Sequence, residues 1–163
     1  MHRDPRGFFA EVYRESWEPG VHAVQWSLAL SHAGVLRGVH VHLVHDDYLI
    51  VPQGRVAIGL RDLRRGSPSE GRSMLIEMRG EDLAALVIPH GVAHGFYFLE
   101  RSLFLNGASH DWDPADDFAC HWADPALEIP WPTHQAITSE RDGSAPPLRD
   151  LLARIEGRQP IGA

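Results

Sequence analysis

Apolar and polar positions alternate in short stretches along most of the chain, separated by Gly, Pro and Asp turn signals. The pattern predicts strands over residues 23–30, 38–44, 48–51, 55–61, 73–78, 85–88, 93–99 and 102–106. The 55–61 stretch is the clearest. Val56, Ile58 and Leu60 fall on one face, and the small Ala57 and Gly59 on the other. Reversals are expected near Gln53-Gly54, Arg65-Gly66-Ser67-Pro68 and His90-Gly91. Towards the C-terminus the period changes: Pro146-Pro147 precede Leu148, Leu151, Leu152 and Ile155, whose spacing predicts a helical tail over about residues 146–158. Many short strands and one helix predict an all-β sandwich or barrel of the jelly-roll kind. No repeat, low-complexity segment or linker divides the chain, so a single domain over residues 1–163 is expected.

Composition narrows the function classes. The net charge of −7 argues against a nucleic-acid partner, although a few converging arginines suffice for a phosphorylated small molecule. All 15 basic residues are arginine, so no lysine serves as base, Schiff-base former or ammonium clamp. No apolar run reaches the ~18 residues of a membrane span, and no membrane partner is expected. The first residues lack the apolar stretch of a signal peptide, and the lone Cys120 has no internal disulfide partner. A cytoplasmic location is the expectation.

The densest chemistry lies between Gly34 and Gly54. On a strand, His40 and His42 point to one face and Val39 and Val41 to the other. A second cluster, Pro89-His90-Gly91-Val92-Ala93-His94, feeds a strand on which His94, Phe96 and Phe98 share a face. Gly34, His40, His42, Asp47 and Gly54 resemble the first cupin motif, with Asp where Glu is usual. Pro89, Gly91 and His94 resemble the second, which implies a cupin double-stranded β-helix. His40, His42, Asp47 and His94 could together hold Fe, Mn, Ni or Zn. The alternative is metal-free acid–base work, and no cofactor is the expectation.

A more specific resemblance covers nearly the whole chain. Asp4-x-Arg6-Gly7-Phe8-Phe9-x-Glu11, Gly34-Val-Leu-Arg37-Gly38-Val-His40, Gly66-Ser67-Pro68-x-x-Gly71, Ile88-Pro89-x-Gly91-x-Ala93-His94-Gly95-Phe96, Trp122-x-Asp124-Pro125, Ile129-x-Trp131-Pro132 and Ser139-x-Arg141-Asp142 resemble the dTDP-4-dehydrorhamnose 3,5-epimerase family, in that family's order. The resemblance implies an isomerase acting on a dTDP-4-keto-6-deoxyhexose, whose 4-keto group acidifies the protons at C3 and C5. It makes His40 the base, Asp142 its orienting partner and His94 a stabiliser of the enolate oxygen. Arg37 would contact substrate and Arg6 the diphosphate. Phe9, Glu11 and Gln25 match positions near the nucleotide or the subunit interface, and Trp112 matches an aromatic that packs on the base. The family forms dimers, so a homodimer is expected, with residues 4–11 as a strand reaching across its interface.

Three positions depart from that family. Its opposite-face acid, a tyrosine, is Phe104 here; its glutamine two residues after the base is His42; its lysine before the turn glycine is Asp47. Phenylalanine donates no proton, so a C3-limited reaction, or proton exchange without full inversion at C5, is expected. Arg37-Gly38-Val-His40-Val-His42 also resembles the sugar-nucleotide 3,4-ketoisomerases, in which a proton moves between C3 and C4. That alternative makes His42 a catalytic partner of His40. A third alternative is a metal-binding cupin or an inactive sugar-nucleotide binder.

Overall fold

A computed structural model describes residues 1–158. The strands are β1 (His2–Asp4), β2 (Gly7–Phe9), β3 (Gln25–Ser31), β4 (Leu36–Val41), β5 (Asp47–Gln53), β6 (Arg55–Asp62), β7 (Ser73–Arg79), β8 (Ala85–Ile88), β9 (Val92–Phe98), β10 (Ser102–Ala108) and β11 (Phe118–Ala119). Two helices follow, α1 (Glu140–Gly143) and α2 (Leu148–Ile155). A four-stranded sheet runs β3-β10-β5-β8 and a five-stranded sheet β11-β4-β9-β6-β7. Every strand pairing in them is antiparallel. This is the expected all-β jelly roll.

The inner faces of the two sheets share one apolar cluster. Leu49 and Val51 of β5, Val56 and Ile58 of β6, Phe96 and Phe98 of β9 and Phe104 of β10 meet there. Alternation in β6 sends Gly59 the other way, against the chain that covers the outer face. A Cβ on Gly59 would lie 2.5 Å from the Trp131 ring and 2.6 Å from Ile129. The outer face carries a second cluster, in which Leu36, Val39 and Val41 of β4 meet Trp122, Leu127, Ile129 and α2. Helix α2 exists because Leu148, Leu151 and Ile155 bury one stripe on this cluster. Leu152, of the same predicted stripe, stays 41% exposed. Gly54 makes the tight turn from β5 to β6 with φ +91°, and a Cβ there would overlap Ser102 at 2.2–2.7 Å.

The structure corrects two expectations. Residues 4–11 do not form one strand. The chain turns at Pro5-Arg6, and β1 pairs with β2 as a separate two-stranded hairpin. Asp4 accepts from the backbone N–H of Arg6 at 2.8 Å, and that local bond favours the turn over extension. The strand expected over 38–44 starts earlier and stops at Val41, so His42 lies just beyond β4.

Candidate active site

His40 reaches its partner through a distortion in β4. The strand pairs with β9, placing His40 opposite His94, but the register shifts between Gly38 and His40. Gly38 has φ +111°, and a Cβ on it would lie 2.8 Å from Gly95 Cα and from the His94 carbonyl oxygen. Only glycine allows that approach. Its backbone N–H donates to Asp142 Oδ2 at 3.3 Å. The other oxygen, Oδ1, lies 2.8 Å from His40 Nε2. Asp142 is delivered by the first turn of α1, whose N-cap Ser139 accepts from the Asp142 N–H at 3.1 Å.

Burial alone would raise the Asp142 carboxyl, but the hydrogen bond and charge of His40, with the Gly38 and Ser139 bonds, hold it below its ordinary value. The ionised carboxylate therefore accepts from His40 Nε2–H and leaves Nδ1 as the basic nitrogen. The His40 side chain is 21% exposed, so a ligand can approach it.

A second set of groups lies deeper. The His42 ring is 5.3 Å from that of His94 and stacks on His45 at 4.0 Å. His42 Nδ1 lies 3.2 Å from the Asp116 carbonyl oxygen, and His94 Nδ1 lies 3.0 Å from that of Val92. A carbonyl only accepts, so each Nδ1 carries the proton and each Nε2 the lone pair. Burial, then the neighbouring imidazoles His94 and His45, pushes His42 down to about 4. Burial does the same to His94, again to about 4. Asp47 begins β5 beside them; Asn106 Nδ2 donates to its Oδ1 at 2.9 Å, and its Oδ2 stands 3.6 Å from His94 Nε2. Burial pushes the Asp47 carboxyl up, against the pull of His42 and Asn106. In this state His94 Nε2 is an acceptor, not the donor that an enolate oxygen requires.

Arg37 projects from β4 to Ser31 of the facing sheet, Nε to Oγ 2.9 Å, and stays exposed. Phe104 packs next to this set: it lies 4.6 Å from the Phe96 ring, and Phe96 lies 5.5 Å from His94. Trp112 and Gln25 meet at the surface, where the Trp112 backbone N–H donates to Gln25 Oε1 at 2.8 Å. Arg6, Phe9 and Glu11 stand apart from this set. Arg6 is forked to Asp4, Glu11 pairs with Arg14, and Phe9 is 68% exposed. Tyr97 packs with the outer cluster and His110 is exposed, so neither is positioned to replace a tyrosine at Phe104.

The four-ligand metal set is not assembled as expected. Among the described residues, the groups of ligand atoms within 4.8 Å are His42-Asp47-His94 and His42-His45-Asp116. His40 belongs to neither, because Asp142 engages it. Sequence reasoning missed His45, Asp116 and Asp117. His45 was visible as a third histidine three residues after His42. Nothing in the sequence marked Asp117. It accepts from Arg141 at 2.8 Å and from Trp112 Nε1 at 3.2 Å. Burial would raise its carboxyl, but Arg141, the charge of His40 and Trp112 draw it down to about 2.

The profile of the dTDP-4-dehydrorhamnose 3,5-epimerase family matches residues 1–150. The dTDP-4-dehydrorhamnose 3,5-epimerase of Pseudomonas aeruginosa is 36% identical over 148 residues, 85% of this chain and 82% of the relative. The spore coat polysaccharide biosynthesis protein SpsL of Bacillus subtilis is 32% identical over 136 residues, 81% of this chain and 90% of the relative. Among solved structures, the 3,5-epimerase RmlC of Legionella pneumophila in complex with dTDP-4-keto-L-rhamnose superposes with a TM-score of 0.83 at 32% identity, covering 93% of this chain and 86% of that one. The 3'-monoepimerase ChmJ of Streptomyces bikiniensis in complex with dTDP-quinovose gives 0.84 at 29% identity, covering 95% and 83%. With this fold, a carboxylate-held histidine on β4 and likeness along almost the whole chain, the protein belongs to the dTDP-4-dehydrorhamnose 3,5-epimerase family of isomerases.

Proposed function

We propose that this chain epimerises a dTDP-4-keto-6-deoxyhexose at C3. The observation that carries it is the 2.8 Å contact between His40 Nε2 and Asp142 Oδ1 in a member of this family. His40 Nδ1 takes the C3 proton, the electron pair moves into a C3–C4 double bond, and the 4-keto oxygen becomes an enolate. A proton from solvent returns to the opposite face and inverts C3, and His40 gives the proton it took back to solvent. Arg37 contacts the substrate from β4. Phe104 presents carbon where a second proton donor would stand, so C5 keeps its configuration.

The working unit is a homodimer, and the compartment the cytoplasm. Two observations support the dimer. The β1–β2 hairpin exposes Phe8 at 51% and Phe9 at 68%, and a lone two-stranded hairpin is marginally stable in water. Edge strand β3 exposes Trp26, Leu28 and Leu30 on one face. A partner seated there covers this surface and brings Arg6, Phe9 and Glu11 to the nucleotide. Cys120, buried and unpaired, suits a reducing compartment.

Proton NMR of the protein with dTDP-4-keto-6-deoxyglucose in heavy water tests the reaction. Deuterium should enter at C3, not at C5, and should be absent with His40→Ala. A Phe104→Tyr variant should gain exchange at C5. A product with its keto group moved from C4 to C3 would replace this assignment with the 3,4-ketoisomerase shuttle between His40 and His42. No exchange at either carbon would remove both.

A further inference from the structure

We propose that Asp117 is a positioning residue that couples a ligand ring resting on Trp112 to the base His40; the coupling rests on the enolisation proposed above. The chain turns back between Trp112 and Asp117. Asp113 caps the short turn Pro114–Asp116 by accepting from the Ala115 N–H at 2.8 Å, and the turn brings Trp112 Nε1 onto Asp117 Oδ2 at 3.2 Å. The Trp112 backbone N–H is already held by Gln25 Oε1. Both N–H groups of the residue are spent, yet it stays 54% exposed. An exposed indole fixed in this way has little freedom left to lose when a flat group lies on it. The thymine of the proposed substrate is such a group.

Asp117 also faces the base. It directly precedes β11, where Ala119 pairs with His40, and strand alternation puts Asp117 on the face that Ala119 shares with His40. Arg141 closes the link. Its Nη1 donates to the same Asp117 Oδ2 at 2.8 Å, and its Nη2 to the Asp117 carbonyl oxygen at 3.2 Å. The next residue is Asp142, whose Oδ1 lies 2.8 Å from His40 Nε2. One carboxylate oxygen therefore stands between the exposed indole and the turn that holds the base. Asp117 Oδ1 is buried and has no partner among the described residues, so Trp112 and Arg141 alone fix this side chain. Burial opposes ionisation, but Arg141, the charge of His40 and Trp112 hold the carboxyl at about 2, so both donors meet a full negative charge. A pin for the loop alone would need no indole on that oxygen, and its loss would leave turnover at saturation unchanged.

The test reads the rate of C3 deuteration against substrate concentration. Trp112→Phe keeps a flat ring and removes the Nε1–H. It should lower kcat about tenfold, as the base loses its alignment with C3. Asp117→Asn keeps the shape, removes the charge that holds Arg141, and should lower kcat by about as much. The double variant should lose about as much as either alone, not the ~100-fold that two independent sites would give. Arg65→Gln breaks an exposed 2.8 Å ion pair with Glu156 and should leave kcat unchanged. A rise in KM with kcat unchanged in Trp112→Phe, losses that multiply in the double variant, or an equal loss in Arg65→Gln would overturn the coupling. Because Trp112 is exposed, Trp112→Phe decides even if Asp117→Asn fails to fold. Without C3 deuteration by the unmodified chain, the reaction falls and the coupling with it. With deuteration but no change of kcat in Trp112→Phe, only the coupling falls.

Discussion

Asp142, on the first turn of α1, holds His40 of β4 at 2.8 Å across 102 positions of sequence. Its second oxygen takes the N–H of Gly38, two residues before that histidine, at 3.3 Å. One carboxylate therefore ties down both the ring and the strand that carries it.

Asp142→Asn keeps the shape and removes the charge. An amide presents either a donor or a weaker acceptor to Nε2, so the tautomer with a basic Nδ1 is no longer enforced. The rate of C3 deuteration should fall by about 10²–10⁴-fold, within the range for general acid–base groups. Losing charge-assisted hydrogen bonds should also cost roughly 1.5–3 kcal/mol, read by urea unfolding.

Gly38→Ala should be more damaging than its size suggests. The methyl would meet Gly95 Cα and the His94 carbonyl at 2.8 Å, at a backbone angle of φ +111°. Both neighbours are backbone and cannot swing aside. A loss of about 1–3 kcal/mol or more is expected from the strained conformation, with loss of C3 exchange. Chemical denaturation and the same NMR assay check it.

Stability should carry a specific acid dependence from Asp62. This buried carboxylate accepts from Arg64 at 2.8–3.0 Å, from Ser67 at 2.7 Å and from Ser69 at 2.6 Å. Burial opposes the charge, yet these bonds prevail and hold its pKa well below the usual value. A depressed folded pKa gives stability that is complete above the unfolded value of ~3.9 and is lost as pH falls towards the folded one. Asp62→Asn should therefore be less stable than the unmodified chain at neutral pH by roughly 1.5–3 kcal/mol. That gap should narrow below about pH 4. Denaturant midpoints from pH 7 to pH 3 measure it.

Leu28→Glu should halve the mass seen by light scattering. Leu28 is 67% exposed on edge strand β3, and a charge there would be desolvated by a partner but solvated in a monomer. An unmodified chain that already runs as a monomer would count against the dimer.

The sequence determined the architecture through periodicity. Period-2 patterning in β6 sorted Val56 and Ile58 to the inner cluster and Gly59 towards Trp131, and the glycine at Gly54 marked a turn that only a positive φ can make. It also marked His40, His42 and His94, because paired histidines beside apolar residues need a chemical reason, and a resemblance along the chain linked Asp142 to His40. The folding of residues 2–9 into a hairpin was not visible, since the Asp4–Arg6 bond that turns the chain is local side-chain chemistry with little hydrophobic signal. Nor was the division of labour among the histidines. It depends on which carbonyl meets each Nδ1: Asp116 for His42 and Val92 for His94, while Asp142 takes His40. Asp116 and Asp117 come from a loop more than 70 positions after His42, and strand spacing says nothing about where such a loop returns. Period and composition dictate which face a residue takes; only tertiary contacts decide which nitrogen keeps the proton.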